Sequence, residues 1–224
     1  LTNQNIDFEM IFSKYAGHAV ELAEQASRKH RIVAALGGDG TAREVLAAVW
    51  QTSSAFGVIP GGTGNDYARG LGIPRDIPEA LKVLLAGATA PFDVGVEQDR
   101  VFGQLACIGF PVDVIIHVNE HRDGLIKGSA AFLAGVAATI RSLRTYPVRI
   151  TVDGKTFEKD VVGVFVMNMP YCGGGMQFVP EARYDSGVFH VLIIDRISRL
   201  DLAVTLPKIY SGKHVSHPAV SIVT

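Results

Sequence analysis

Cysteine is scarce: Cys107 and Cys172 are the only two in 224 residues. They lie too far apart in sequence for a metal-like pair, and two thiols do not build a disulfide scaffold. That usage suits a reducing compartment. Excess charge is lacking too. Lys and Arg number 21 against 22 Asp and Glu, a net charge of −1, so bulk charge recommends no nucleic-acid partner. Nor is there a long apolar run. A long uncharged stretch, Val161 to Pro180, is broken by Asn168, Pro170, Gly173 to Gly175 and Gln177, which excludes a spanning helix there. Residues 1–10 are polar and mixed, unlike a signal peptide. Internal repeats and low-complexity tracts are missing as well. What is present is 48% hydrophobic residues against 19% charged, enough for a substantial core in one large or two small domains. The expectation is a soluble protein.

The first part of the chain alternates. Residues 16–29 read as a helix, with alanines, Val20 and Leu22 at helical spacing. Arg31 to Leu36 reads as a short strand ending in Gly37-Gly38-Asp39-Gly40, and Thr41 to Trp50 as a helix with Val45, Leu46 and Val49 on one face. Ala55 to Ile59 is a second strand, stopped by Pro60 and Gly61-Gly62-Thr63-Gly64. Pro78 suits the first turn of a helix that reaches Leu85 and ends at Gly87. Strand, glycine turn, helix, repeated, is the rhythm of a parallel α/β sheet.

After about Pro91 the rhythm changes. Arg149 to Val152, Asp153-Gly154 and Lys155 to Lys159 form a hairpin pattern on an Asp-Gly turn. Val161 to Met169 and Val188 to Ile194 are buried-strand patterns, interrupted by one long helix over roughly 129–144. The expected division is an α/β domain over residues 1–91 and a mainly β domain over 92–224.

Each glycine turn joins the carboxyl end of a strand to a helix, the edge of an open parallel sheet where ligands bind. Glycine permits close backbone approach, a helix start offers free N–H groups, and Thr41 and Thr63 add hydroxyl donors. A bland reading stands level with this one. Glycine turns also serve as plain connections, Thr41-x-x-Glu44 matches a capping box, and Asn65 or Asp66 could cap a helix. Neither the dinucleotide G-x-G-x-x-G nor the P-loop pattern occurs. Asp39 adds weight to the phosphate reading, because a carboxylate beside phosphates calls for a bridging cation such as Mg²⁺. Asp39 and Asp66 are then either turn residues or parts of a Mg²⁺–nucleotide site.

"GGDGT" at 37–41, with Glu44, resembles the superfamily of NAD kinases, phosphofructokinases and the diacylglycerol kinase catalytic domain. "PGGTGNDYAR" at 60–69 and "LGIP" at 71–74 narrow this to the diacylglycerol and sphingosine lipid-kinase branch, of the soluble bacterial type. "ACIGF" at 106–110, "GGGMQFVPEA" at 173–182 and "GKHVSHP" at 212–218 carry the likeness across nearly the whole chain. The resemblance implies a Rossmann-like α/β domain and a C-terminal β-sandwich lipid-binding domain with ATP between them. It also implies a cytoplasmic enzyme that visits the inner face of the membrane.

Carried over residue by residue, Gly37, Gly38, Asp39, Gly40, Thr41 and Glu44 would line the ATP phosphates. Gly61, Gly62, Thr63, Gly64, Asn65 and Asp66 would do the same. Ser13 falls where the family often has a nucleotide-contacting threonine. Asp39 would act through Mg²⁺. Asp185 stands, shifted by one position, where the family has an Asp-Gly at a structural Mg²⁺ site. The family's first strand and its Asn-Pro-x-Ser-Gly loop would precede Leu1. Its general base, an aspartate in an Asp-Gly-Glu motif, would lie beyond Thr224.

The implied reaction is transfer of the ATP γ-phosphoryl group to a lipid hydroxyl, diacylglycerol first. A sphingoid base or phosphatidylglycerol is the alternative acceptor, and a catalytically inactive nucleotide- or lipid-binding module the alternative class. The partner is a lipid at a membrane surface. The helix over 129–144, with Arg141, Arg144 and the following Arg149, could rest on an anionic surface or be an ordinary core helix. A homodimer through a sheet edge is a further expectation. His117 to His121 matches H-x-x-E-H, which we weigh as a solvated helix face over zinc. His214, His217 and both cysteines are expected to be structural.

Overall fold

The computed structural model describes residues 6–120 and 129–224. Residues 6–14 run without regular structure into α1 (His18–Ser27). Strand β1 (Ile32–Gly37) leads into α2 (Asp39–Val49), and β2 (Ala55–Pro60) lies parallel to β1 from Ile32↔Ala55 to Gly37↔Pro60. The two strands therefore end side by side, at Gly37 and Pro60. Ala19 and Ala23 of α1 pack with Ala42, Val45, Leu46 and Val49 of α2, at the one-turn spacing of a single helix face. A short helix α3 (Asp66–Gly70) and α4 (Ile77–Ala86) follow. Asp76 caps α4 by accepting the Glu79 N–H, and Gly87 closes it at φ 66°.

The rest is mainly β. Strands β3 (Gly95–Glu97) and β4 (Arg100–Phe102) form a small hairpin. Then come β5 (Leu105–Gly109), α5 (Phe110–Glu120), α6 (Ser129–Ile140), β6 (Tyr146–Val152) and β7 (Lys155–Met167). The short β8 (Tyr171–Cys172) and β9 (Met176–Gln177) pair together, followed by β10 (His190–Asp195), α7 (Arg199–Thr205), two 3₁₀ turns over 206–216 and β11 (Val220–Val223). The antiparallel sheet runs β11-β10-β7-β5, with β6 paired to the first half of β7. One face carries Phe165, Met167 and Leu192 against Met176, Phe178 and Ile209. The other carries Val164, Val191 and Ile193 against Val148, Ile150 and Phe157 of the hairpin arm. The result is an N-terminal parallel α/β part and a C-terminal β-sandwich-like part, as expected.

Some boundaries move. The expected helix over 129–144 ends at Ile140, so Arg141 and Arg144 lie past its last turn. The hairpin arm and the central strand, read as separate, are one strand of 13 residues. His121 of the H-x-x-E-H pattern lies outside the described residues. Among those described, no helix is long and apolar enough to cross a membrane.

The two parts share a seam. Met169, fully buried, belongs to the α/β core, together with Phe92, Val94 and Tyr184. The Asn168 side-chain amide donates to the carbonyls of Asp93 (2.6 Å) and Gly103 (2.8 Å).

Candidate functional site

Because β1 and β2 end level, their glycine turns lie back to back. The Gly61 N–H donates to the Gly37 carbonyl at 2.8 Å. A Cβ on Gly62 would stand 2.4 Å from the Gly38 Cα, and one on Gly61 would stand 3.4 Å from the Gly37 Cα. Real carbon atoms do not approach that closely, so the first contact exists only because both residues lack side chains. Asn65, left-handed at φ 54°, folds back on the loop: its Oδ1 accepts the Gly62 N–H and its Nδ2 donates to the Gly62 carbonyl, both at 2.8 Å. It holds the turn rather than capping α3.

Helix α2 starts at Asp39 with Gly38 as N-cap and no capping side chain. Its first N–H groups therefore face the turns without a side chain on them. This sets aside the capping box, since Thr41 lies inside the helix and packs over Gly37 instead. Glu44, expected beside phosphates, has one oxygen engaged elsewhere: its Oε1 accepts the Gly17 N–H at 3.1 Å, tying the start of α1 to α2. Ser13 is exposed in the irregular stretch before Gly17. Gly40, Gly61, Gly62 and Thr63 are exposed, so the backbone around the turns is open to a ligand.

Asp39 bridges the first turn to α3. Its Oδ1 accepts the Tyr67 N–H at 3.0 Å, and its Oδ2 lies 2.7 Å from where a Cβ on Gly64 would stand. Tyr67 is buried beneath, its phenol pushed up to about 12 by loss of solvent. Asp66 behaves differently from expectation. It is 1% exposed, and its oxygens accept the N–H groups of Gly174 and Gly175, both at 2.7 Å. Arg69 lies at 3.5 Å on Oδ1 and stacks over the Tyr171 ring. Burial pushes the Asp66 carboxyl above its ordinary value and the Asp39 charge adds to this, while the glycine amides and Arg69 oppose it. A carboxylate so enclosed is a strut between the two parts, not an open ligand for phosphate or metal.

Asp185 is paired locally. Both its oxygens are taken by the Arg183 guanidinium at 3.1 Å, which holds its carboxyl below the usual range. Among the described residues no group of three or more His, Cys, Asp or Glu is placed to hold a metal ion. A cation at Asp39 would thus need phosphate oxygens to complete its shell.

Sequence reasoning missed the far wall of the site. Gly173, Gly174 and Gly175 have φ of 68°, 87° and 96°, and that left-handed run turns two amides onto Asp66. Three consecutive glycines were the available signal. Just beyond lies an apolar cavity of about 110 Å³ between the sheet and helices α5, α6 and α7. Leu105, Phe110, Phe165 and Leu202 line it, with Cys107, Cys172, Thr205 and His214. The Cys172 thiol is pushed up, first by burial, then by the charge of Asp66, by Cys107 and by Asp39.

Residues 1–96 match the family described as the diacylglycerol kinase catalytic domain, and residues 106–224 the YegS C-terminal NAD kinase beta sandwich-like domain. The diacylglycerol kinases of Staphylococcus aureus strains JH9 and Newman are each 30% identical over 207 residues, 91% of this chain. The chain spans 65% of the length of those relatives. A crystal structure of a candidate diacylglycerol kinase from Bacillus anthracis str. Sterne superposes with a TM-score of 0.74 at 26% identity, covering 94% of this chain and 70% of the other. A second, of a diacylglycerol kinase from the same organism, shares the fold at a TM-score of 0.69 and 23% identity, covering 94% and 69%.

Proposed function

Since the chain belongs to the diacylglycerol kinase catalytic-domain family, we propose that it takes part in ATP-dependent phosphorylation of a lipid hydroxyl, diacylglycerol being the favoured acceptor. One observation carries this reading. The open glycine turns and the apolar cavity share a wall, residues 172–176, whose backbone holds Asp66 and whose side chains line the cavity. A polar phosphate cradle beside an apolar chamber suits a substrate with a reactive headgroup and an alkyl tail.

The residues present fit a nucleotide. The uncapped start of α2, the exposed Gly61-Gly62-Thr63 backbone and the tight Gly38–Gly62 contact leave room for a phosphate chain against N–H groups. Bound there, ATP with Mg²⁺ would supply the phosphoryl group and neutralise its developing charge. This chain's own contribution is positioning. The Tyr67 N–H fixes the Asp39 carboxylate at the mouth of the turns, Asn65 locks the loop, and Asp66 holds the triple-glycine wall in place. The cavity walls keep water from the tail.

Access from a bilayer needs an apolar lip. Ile115 and Ile116 of α5 and Leu200 and Val204 of α7 are each about half exposed or more, on helices that line the cavity. They support transient contact with a lipid surface. The arginines contribute less than their number promises, since Arg144 is paired with Asp113 at 3.2 Å and donates to Tyr146. Liposome sedimentation tests this: Leu200→Ser with Val204→Ser should reduce binding, Arg141→Glu alone should reduce it less, and unchanged binding in the serine pair would remove the contact.

The activity test offers the full-length protein labelled ATP and Mg²⁺ with mixed micelles of diacylglycerol, sphingosine or phosphatidylglycerol. Label in diacylglycerol, absent with Asp39→Asn, is the expected result. Label in another lipid reassigns the acceptor. No label in any lipid, with nucleotide still bound, would overturn the kinase reading in favour of a binding module.

A further inference from the structure

Tyr15 presents an aromatic ring to solvent and yet holds it still. Its ring stacks on the His18 imidazole with centroids 4.5 Å apart and planes 9° from parallel. Its phenol donates to Glu21 Oε1 at 3.2 Å. His18 is fixed in turn, since its Nδ1 accepts the Lys14 N–H at 3.0 Å. One face of the tyrosine ring is thus covered by the imidazole, while the residue as a whole stays 59% exposed. The opposite face is open.

The shelf is tied to the glycine-turn site. Gly17, between Tyr15 and His18, is left-handed at φ 89° and gives its N–H to Glu44 Oε1. Glu44 stands four residues after Gly40, about 6 Å along the axis of α2. The start of α1 therefore lies at the same edge of the sheet as the open start of α2, one glutamate side chain from its second turn. That separation is within the length of an extended nucleoside triphosphate. A phosphate chain at the start of α2 leaves its nucleoside end to be placed on a neighbouring surface. An aromatic face suits a base, because every base has a π-face to stack. Because the ring is held before any ligand arrives, little side-chain freedom is lost on stacking.

We infer that Tyr15, backed by His18, is the stacking platform for the purine base of the nucleotide whose phosphates lie at the glycine turns. The inference rests on the nucleotide reading of those turns and adds the place of the base. Stacking alone does not choose between adenine and guanine, so Tyr15 supplies affinity for both.

The experiment is calorimetric titration of the full-length protein, without lipid, with the magnesium forms of ATP, GTP and inorganic tripolyphosphate. Tyr15→Ala should weaken ATP and GTP on the order of 10-fold, within the range for removing one base–aromatic stack, and leave tripolyphosphate unchanged. Tyr15→Trp should keep the affinity for ATP, and its indole fluorescence should fall when ATP binds but not when tripolyphosphate does. The natural Trp50 lies past the far end of α2 and gives a constant background. ATP affinity unchanged in Tyr15→Ala overturns the inference. So does an equal loss for all three ligands, which would make Tyr15 a support of the phosphate cradle, or an indole signal blind to ATP. Wild-type protein that binds tripolyphosphate as tightly as ATP overturns it as well and leaves the phosphate site standing. Binding of none of the three would remove the nucleotide reading and this inference together.

Discussion

Replacing Gly62 by alanine probes the contact on which the site is built. The new methyl carbon would stand 2.4 Å from the Gly38 Cα, 3.1 Å from the Gly38 nitrogen and 3.1 Å from Asn65 Oδ1. Two of these neighbours are backbone, and the third is pinned by paired 2.8 Å hydrogen bonds, so none can yield cheaply. Overpacking of this kind costs about 1–3 kcal/mol. For a chain of this size each kcal/mol moves the Tm by roughly 2–4 °C, so Gly62→Ala should melt about 2–12 °C lower. Nucleotide affinity should fall with it, as the turns are pushed apart. Gly40→Ala is the matched control. Its Cβ meets nothing within 4 Å, and it sits in the first turn of α2. Removing a flexible glycine from a helix should stabilise by up to about 1 kcal/mol. Yet its methyl group would project into the open mouth where phosphate is proposed to lie. Scanning fluorimetry with and without ATP separates the two effects: Gly62→Ala lowers both readings, while Gly40→Ala keeps or raises the Tm and loses the ATP-induced shift. A Tm for Gly62→Ala within a degree of wild type would refute the back-to-back packing of the turns.

Asp39→Asn keeps an oxygen for the Tyr67 N–H, whereas Asp39→Ala strands it; urea titration should place the alanine variant about 1–3 kcal/mol below wild type and the asparagine variant near it, with phosphoryl transfer lost in both. Asn168→Ala leaves the Asp93 and Gly103 carbonyls without their shared donor, and equilibrium unfolding should register about 2–4 kcal/mol of lost stability. His214 titrates lower in the fold than its ordinary value of about 6.5, so below that pH the unfolded chain binds the proton first and stability falls as pH drops. Urea midpoints followed from pH 7 downward should lose that component of the slope in His214→Phe.

The elements legible in the sequence were those whose causes are local. Asp76, Pro78 and Gly87 framed α4 because capping depends on the next few residues, and Asp153-Gly154 marked the β6–β7 hairpin because its turn needs φ values of 46° and 79°. The two glycine turns stood out for the same reason. What escaped notice depends on partners remote in sequence. The Asp66 carboxylate looked like a ligand because its glycine donors lie more than a hundred positions later. The length of β7 escaped because its first half answers to β6 and its second to β5 and β10, which produces two burial patterns in one strand. Helix α7 was overlooked although Ser198 and Asp201 spell a local cap, the Asp201 N–H donating to the Ser198 hydroxyl at 3.0 Å. Its seven residues were too few to show a period.

Met169 gives the seam a consequence for dissection of the protein. Its side chain is wholly enclosed, yet it completes the core of the α/β part while following directly from the central strand of the β part. Cutting the chain between the two would leave the first fragment with a methionine-sized hole beside Gly70, and with Asp66 stripped of its two glycine donors. The halves are thus expected to behave as one unfolding unit. Grafting either onto a foreign partner would require carrying Asn168, Met169 and the triple-glycine turn along with it.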